Sequence, residues 1–428
     1  MSYIGPDNIV KKRKDYFFPA IANFYEDPPQ LVSGSMQYLE DHTGKRYLDF
    51  FAGVSVMNCG HSNAEIMKDT IEQLTKLQHT TTIYLTEPIV HLAEKLSEIL
   101  PGNITRTFFC VTGSEANEGA LALARMHTNK SGIIALQGGL HGRTHLTLSV
   151  TGIPMWRLDD ELVKENIFFI DRPYAENETS EISMERSLQQ LSTILQKHGS
   201  DIGALIIEPI QGNGGIVMYP STFLKEVKQL LKQYGVLLIV DEVQTGYGRT
   251  GKMFAIEHYD IVPDIIVTAK ALGNGFPIST FSTTDEIAKS FNKPSASTFG
   301  GNALASQTAL SVLKYIHDQS LVERAAQLGA YLKEKLLKLE SPFIQEIRGI
   351  GLMLGMQIQS NTGVELTSAN VTDYILEKMK ERGFLIGKNG LNRDVIAFQP
   401  PLVITKENID ELIIHLEDVF TELIRKEG

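Results

Sequence analysis

Three short stretches of this chain put reactive residue types where a fold could use them. Asp241-Glu242 closes the apolar run Leu237-Leu238-Ile239-Val240. Lys270 closes a second run, Ile265-Ile266-Val267-Thr268-Ala269, and precedes the turn Gly273-Asn274-Gly275. Thr112-Gly113-Ser114-Glu115 opens a helix-like segment. A carboxylate buried at a strand end is costly unless a cation or hydrogen bonds meet it. Ligands of open α/β sheets bind at the carboxyl ends of strands. Alone, Asp241 reads equally as a metal ligand or a loop cap. A lysine in a partly desolvated pocket has a lowered pKa and can form a Schiff base, although a lone lysine past a strand is more commonly solvated. Free amides at a helix N-terminus bind phosphate, and Gly113 lets the backbone come close; a simple cap reads the same way. Asp241 and Lys270 together supply what a pyridine cofactor with a carbonyl needs. The amine holds the carbonyl, and the anion keeps the ring nitrogen protonated.

Positioning such groups requires a sheet with its ends aligned. Residues 204–210, 236–240 and 265–268 are short, apolar and rich in β-branched side chains, the pattern of parallel strands buried on both faces. Between the first two, Phe223, Leu224, Val227, Leu230 and Leu231 recur at helical spacing over 221–234, and Gly235 ends the segment. A second unit places a strand at 106–111, a helix at 114–127 with Thr112 and Glu115 at capping-box spacing, and a strand at 132–136. Further on, 350–358, 384–386 and 395–398 read as strands, and 372–382 and 407–424 as helices. Residues 36–51 carry a hairpin signal around 41–44. The expected fold is α/β: a large, mainly parallel sheet domain at 62–310, a smaller α+β domain at 311–428, and an N-terminal segment, 1–61, packing with the smaller domain.

Composition narrows the function. The net charge of -11 repels phosphate backbones and anionic lipid, so neither nucleic acid nor membrane is an expected partner. Two cysteines, Cys59 and Cys110, are too few for a disulfide framework and too far apart for a zinc site; buried reduced thiols are expected. Residues 1–14 lack the apolar core of a signal peptide, and no apolar run approaches a membrane span. A cytoplasmic protein without metal is expected.

Over nearly its whole length the chain resembles the class III (ω-amino acid) aminotransferases. The segments that carry the resemblance are Tyr47-Leu-Asp-Phe-Phe-Ala-Gly, Thr112-Gly-Ser-Glu-Ala-Asn-Glu, His141-Gly-Arg-Thr, Glu208-Pro-Ile-Gln-Gly and Asp241-Glu-Val-Gln-Thr-Gly-Tyr-Gly-Arg-Thr-Gly. Ala269-Lys-Ala-Leu-Gly-Asn-Gly-Phe-Pro, Thr298-Phe-Gly-Gly-Asn and Arg348-Gly-Ile-Gly-Leu-Met continue it. Within that class it is most similar to the mitochondrial type of alanine–glyoxylate aminotransferase and its bacterial relatives. The resemblance implies the aspartate-aminotransferase fold (fold type I) and pyridoxal 5'-phosphate as cofactor. It implies Lys270 as the lysine that carries the cofactor and moves a proton, and Asp241 at the pyridine nitrogen. Val243 and Leu140 would cover the ring, Gln244 would meet its hydroxyl, and Gly113 and Ser114 would hold the phosphate. Thr298 would reach the phosphate of a neighbouring subunit's cofactor in a homodimer with shared active sites, with a tetramer as a further assembly.

Two departures from the family pattern bear on substrate. Leu140 stands where an aromatic residue usually stacks on the ring. Ala397 stands where an arginine usually clamps the substrate carboxylate and otherwise pairs with the glutamate at Glu208. Arg393 is the candidate replacement, and a solvated loop arginine reads the same way. The expected reaction moves an amino group from an amine or amino acid to a small 2-oxo acid such as pyruvate or glyoxylate, with Glu208 and Arg393 meeting substrate. Restoring arginine at 397 is expected to favour 2-oxoglutarate. The alternatives within the family are a phospholyase acting on a phosphorylated amino alcohol, and an amino-acid racemase or epimerase. An amine-sensing DNA-binding regulator fits neither the short N-terminal segment nor the charge.

Overall fold

The structure is a computed structural model and describes residues 3–21, 23–158, 166–175, 178–360 and 366–427. Its centre is a seven-stranded sheet. In spatial order the strands are Arg106–Cys110, Ser279–Thr283, Ile265–Thr268, Leu237–Asp241, Ile202–Ile207, Gly132–Leu136 and Ile167–Ile170. Pairing is parallel from Ile265–Thr268 to Ile167–Ile170, and Ser279–Thr283 runs antiparallel to both its neighbours. The middle strands are buried along their whole length, which is why they read as continuous apolar runs rather than alternating ones.

Two of these strands are not among those expected from the sequence. Ser279–Thr283 is wholly buried although four of its five residues carry hydroxyls. Thr280 and Ser282 pair across strands with Thr268 and Thr107, each at 2.8 Å, while Ser279 and Thr283 donate to the carbonyls of Thr112 at 2.8 Å and Asp264 at 2.6 Å. Ile167–Ile170 is a four-residue edge strand. The run expected at 204–210 is divided. Its strand is Ile202–Ile207, and Ile210–Gln211 forms a separate ribbon with Val217–Met218.

The expected capping box at Thr112 is half formed. Thr112 Oγ1 accepts the amide of Glu115 at 3.2 Å, while the Glu115 carboxylate reaches back to the amide of Val111 at 2.9 Å. Helix Gly113–Thr128 then runs over the sheet, and Phe223–Tyr234 ends at Gly235 in the left-handed conformation.

The remaining strands form smaller sheets. Leu31–Ser35, Tyr38–Asp41 and Arg46–Asp49 run antiparallel in order, and Phe384–Leu385 adds parallel to the last. The single strand expected at 350–358 is a hairpin, Ile344–Ile350 with Met353–Ile358, because Gly351 at φ 58° lets the chain reverse. Met353–Ile358 continues to Val395–Phe398 and Gly387–Asn389. Helices Ser368–Glu381 and Lys406–Glu427 pack together here. Cys59 and Cys110 are buried free thiols. Among the described residues, no helix is long and apolar enough to cross a membrane.

Arg249 ties these parts together from a fully buried position. It donates to the carbonyls of Leu352 (2.8 Å) and Pro400 (2.6 Å) and to Asn58 Oδ1 (2.5 Å). Burial lowers its pKa to about 9, opposed by Asp49. Arg249→Ala leaves three buried acceptors without their donor, at about 1–3 kcal/mol each. The apoprotein of that variant should melt several degrees lower; an unchanged midpoint would contradict this role.

Candidate active site

Parallel strands deliver their carboxyl ends to one place. Gly132–Leu136 leads to Leu140 and His141, Ile202–Ile207 to Glu208, Leu237–Asp241 ends on Asp241, and Ile265–Thr268 leads to Lys270. These residues, with Gly113, Ser114, Val243 and Gln244, line one cavity of about 380 Å³. Eight of the residues singled out from sequence are therefore together: Gly113, Ser114, Leu140, Glu208, Asp241, Val243, Gln244 and Lys270. Thr298 is exposed and outside the cavity of its own chain.

Asp241 is buried, and its oxygens are met by donors. Oδ2 accepts from Asn117 Nδ2 at 2.8 Å and faces His141 Nδ1 at 2.9 Å; Oδ1 accepts the amide of Val243 at 3.0 Å. A carboxylate only accepts, so His141 Nδ1 carries the hydrogen. Neither Asn117 nor His141 was assigned a role from sequence. Asn117 also donates to the carbonyl of His141 at 2.8 Å, locking the loop to the helix.

Lys270 sits at φ 44°, a left-handed position that non-glycine residues take at a cost. Burial lowers the pKa of its amine, while Glu208 and Asp241 pull the other way. Gly113 begins the helix whose first amides lack intrahelical acceptors. A Cβ on Gly113 would lie 3.1 Å from Val243, so glycine keeps this corner open. Ser114 Oγ accepts the amide of Arg143 at 3.0 Å, and a Cβ on Gly142 would lie 2.6 Å from that oxygen.

Among the described residues Glu208 has no arginine partner, but it is not bare. Oε1 accepts the amide of Leu140 at 2.8 Å and Oε2 that of Gly212 at 3.0 Å. Burial pushes its pKa up to about 7; His141 opposes the shift and Asp241 adds to it.

The expected replacement clamp is not at the cavity. Arg393 lies exposed in the turn before Val395–Phe398, at φ 59°, its amide bonded to Gly390. The cavity's one lining arginine among the described residues is Arg143, a member of the quoted His-Gly-Arg-Thr segment. Ala397 is fully buried in an apolar cluster with Ile210, Ile216, Ala255 and Met353, with Phe51 packed against it. Its strand partner Gly387 carries the Phe51 ring so closely that a Cβ there would lie 2.2 Å away. Arginine at 397 would put a charge into this apolar packing. Contrary to the expectation from sequence, Ala397→Arg alone should not install a clamp.

The residues present fit pyridoxal phosphate. A buried carboxylate, an amine of lowered pKa and a helix N-terminus face one cavity. Gln244 Oε1, buried at its wall, has no hydrogen-bond partner among the described residues, as a ring hydroxyl would require.

Comparison with known proteins agrees with this geometry. A family pattern described as "Aminotransferase class-III" matches residues 28–420. The chain is 39% identical over 418 residues to alanine–glyoxylate aminotransferase 2 homolog 2, mitochondrial, of Arabidopsis thaliana, covering 96% of this chain and 87% of that one. It is 38% identical over 405 residues to an acetylornithine aminotransferase of Methanocaldococcus jannaschii, covering 92% and 94%. Among solved structures, a phospholyase from Arthrobacter in complex with phosphoethanolamine superposes with a TM-score of 0.89 at 30% identity, covering 96% and 99%.

The raised pKa of Glu208 has a consequence for stability. A carboxyl that holds its proton more tightly folded than unfolded stabilises fully below its ordinary value of 4.5, and that stabilisation is lost as pH rises through about 7. Buried Glu242, also raised to about 7 by burial, acts in the same direction. The urea midpoint of the apoprotein should therefore fall less steeply from pH 5 to 8 in Glu208→Gln than in wild type. Equal slopes would show that Glu208 is ionised throughout.

Proposed function

Because the chain belongs to the class III aminotransferases, which work with pyridoxal phosphate, we propose that it moves an amino group from an amine or amino acid to a small 2-oxo acid such as pyruvate or glyoxylate. The observation that carries this is the convergence of Lys270, Asp241 and the Gly113–Ser114 helix start on one cavity. When bound, pyridoxal phosphate supplies an electron sink for the carbon that bears the amino group. The Lys270 amine, favoured neutral by burial, holds the cofactor and moves the proton at that carbon. Asp241 holds the pyridine nitrogen and is itself held by Asn117 and His141. Gly113 and Ser114 take the phosphate; Val243 and Leu140 cover the ring faces; Gln244 takes the ring hydroxyl.

For substrate, Arg143 is the better placed guanidinium, and Arg393 is not in the cavity. With Ala397 in apolar packing and Glu208 bonded to amides, no arginine among the described residues pairs with Glu208 to make way for a second substrate carboxylate. This favours a monocarboxylic oxo acid over 2-oxoglutarate. The reading includes a homodimer. Thr298 lies outside its own cavity, and beside it exposed Phe299 packs on His79, a few residues along the chain from exposed Ile83, Tyr84 and Leu85. It also includes the division of the chain at about 61 and 310, and a cytoplasmic setting consistent with buried free thiols.

A phospholyase reading has one observation in its favour, the 30% identity to the Arthrobacter enzyme. Release of phosphate from phosphoethanolamine without any oxo acid would select it.

The two half-reactions, followed by cofactor absorbance, test the proposal. Lys270→Ala should lose turnover by several orders of magnitude. Asp241→Asn should slow proton removal far more than it weakens cofactor binding. Wild type should accept pyruvate or glyoxylate better than 2-oxoglutarate. Arg143→Ala should raise KM for the oxo acid, and Arg393→Ala should leave it within about twofold, as expected for a surface change. Wild-type turnover in Lys270→Ala, or a preference for 2-oxoglutarate, would overturn the corresponding part.

A further inference from the structure

After the strand Arg46–Asp49 the backbone turns the wrong way. Ala52, Gly53, Val54 and Ser55 have φ of 51°, 60°, 69° and 58°. Four successive left-handed residues form a turn that L-residues disfavour, because Cβ crowds the following carbonyl. Gly53 is free of that conflict; Val54, branched at Cβ, is the worst placed. Such strain persists only where its surroundings impose it.

Backbone hydrogen bonds from Val54 and Ser55 to the carbonyl of Phe51, and from Val56 and Met57 to that of Ala52, close the turn, and one carboxylate holds its entry. Asp49 is buried, and its Oδ1 accepts the amides of Phe51 and Ala52, each at 2.8 Å. Its Oδ2 lies 2.7 Å from His61 Nε2. His61 is itself fixed, because its amide and carbonyl exchange hydrogen bonds with Met36 at 2.7 and 2.8 Å. Beyond the turn the chain is held again at Asn58, which donates to the carbonyl of Tyr247 at 3.1 Å and accepts from Arg249. Between the two anchors Val56 lines the cavity that contains Lys270. Met57 lies beside Gly275, a second lining residue, its sulfur 3.2 Å from where a Cβ would stand.

We propose that Asp49 is a positioning residue for the reaction: its carboxylate holds the left-handed turn that sets Val56 in the wall facing the substrate amine. This rests on the reading of the cavity as the active site. Asp49 itself does not line the cavity, so it acts through the turn.

Two measurements test it. The first is hydrogen exchange across residues 50–57 in the apoprotein. The second is the amine half-reaction of the holoenzyme, its half-saturation and limiting rate read separately. Hydrogen bonds to a charged group are strong enough that Asp49→Ala should speed exchange in this segment about tenfold or more. The same variant should raise the half-saturation for amine by a similar factor, with the limiting rate within about threefold of wild type. Asp49→Asn keeps the acceptor and should restore most of both. Ala52→Gly with Val54→Gly removes the conflict at two positions, so adding the pair to Asp49→Ala should recover the half-saturation. Unchanged exchange in Asp49→Ala, or failure of the glycine pair to recover anything, would overturn the proposal. If Asp49→Ala does not fold, the glycine pair alone should still raise the melting midpoint of wild type; a lowered midpoint would overturn it. A wild type with no amine half-reaction would overturn the functional reading, and exchange would still decide whether Asp49 holds the turn.

Discussion

A carboxylate cannot be buried at the end of a central strand unless donors are brought to it, and meeting that requirement at Asp241 organises the site. The donors are Asn117, His141 and the amide of Val243. Asn117 lies one turn into helix Gly113–Thr128, so satisfying Asp241 also fixes the helix start that offers Gly113 and Ser114. His141 belongs to the loop that carries Leu140 and Arg143. One electrostatic demand thus sets the proposed phosphate turn, ring cover and substrate arginine relative to the strand ends.

Glu208 meets burial differently. Two backbone amides receive it, and its pKa sits near 7, so it does not require an arginine in the way an unpartnered buried carboxylate would. The residue that would supply such an arginine, Ala397, lies among apolar side chains with Phe51 filling the space over Gly387. The space around Ala397 is therefore filled by apolar packing. Among the described residues, the lysine and arginine lining the cavity are Lys270 and Arg143, and Asp241 and Glu208 line it too.

Much of this was legible in residue order, for identifiable reasons. Gly132–Leu136, Ile265–Thr268 and Val395–Phe398 match their expected limits, because strands buried on both faces read as uninterrupted apolar runs. Asp241 and Lys270 stood out because they interrupt such runs. Ser279–Thr283 did not, since its buried hydroxyls are satisfied by groups on other segments, which hydropathy cannot register. Asn117 and His141 were missed because their function exists only where two distant elements meet. Arg393 was preferred for its nearness to Ala397 in sequence, but the chain between them turns it outward, while Arg143 arrives from a different loop. The left-handed turn at 52–55 left no sign, as three of its four residues are not glycine.

The central claim is that Lys270 carries the cofactor, with Asp241 set opposite by the same sheet. Borohydride reduction of the holoenzyme followed by peptide mass mapping tests it most directly. The account predicts a single pyridoxyl phosphate adduct, on the peptide containing Lys270. An adduct on another lysine, with Lys270 unmodified, would contradict it.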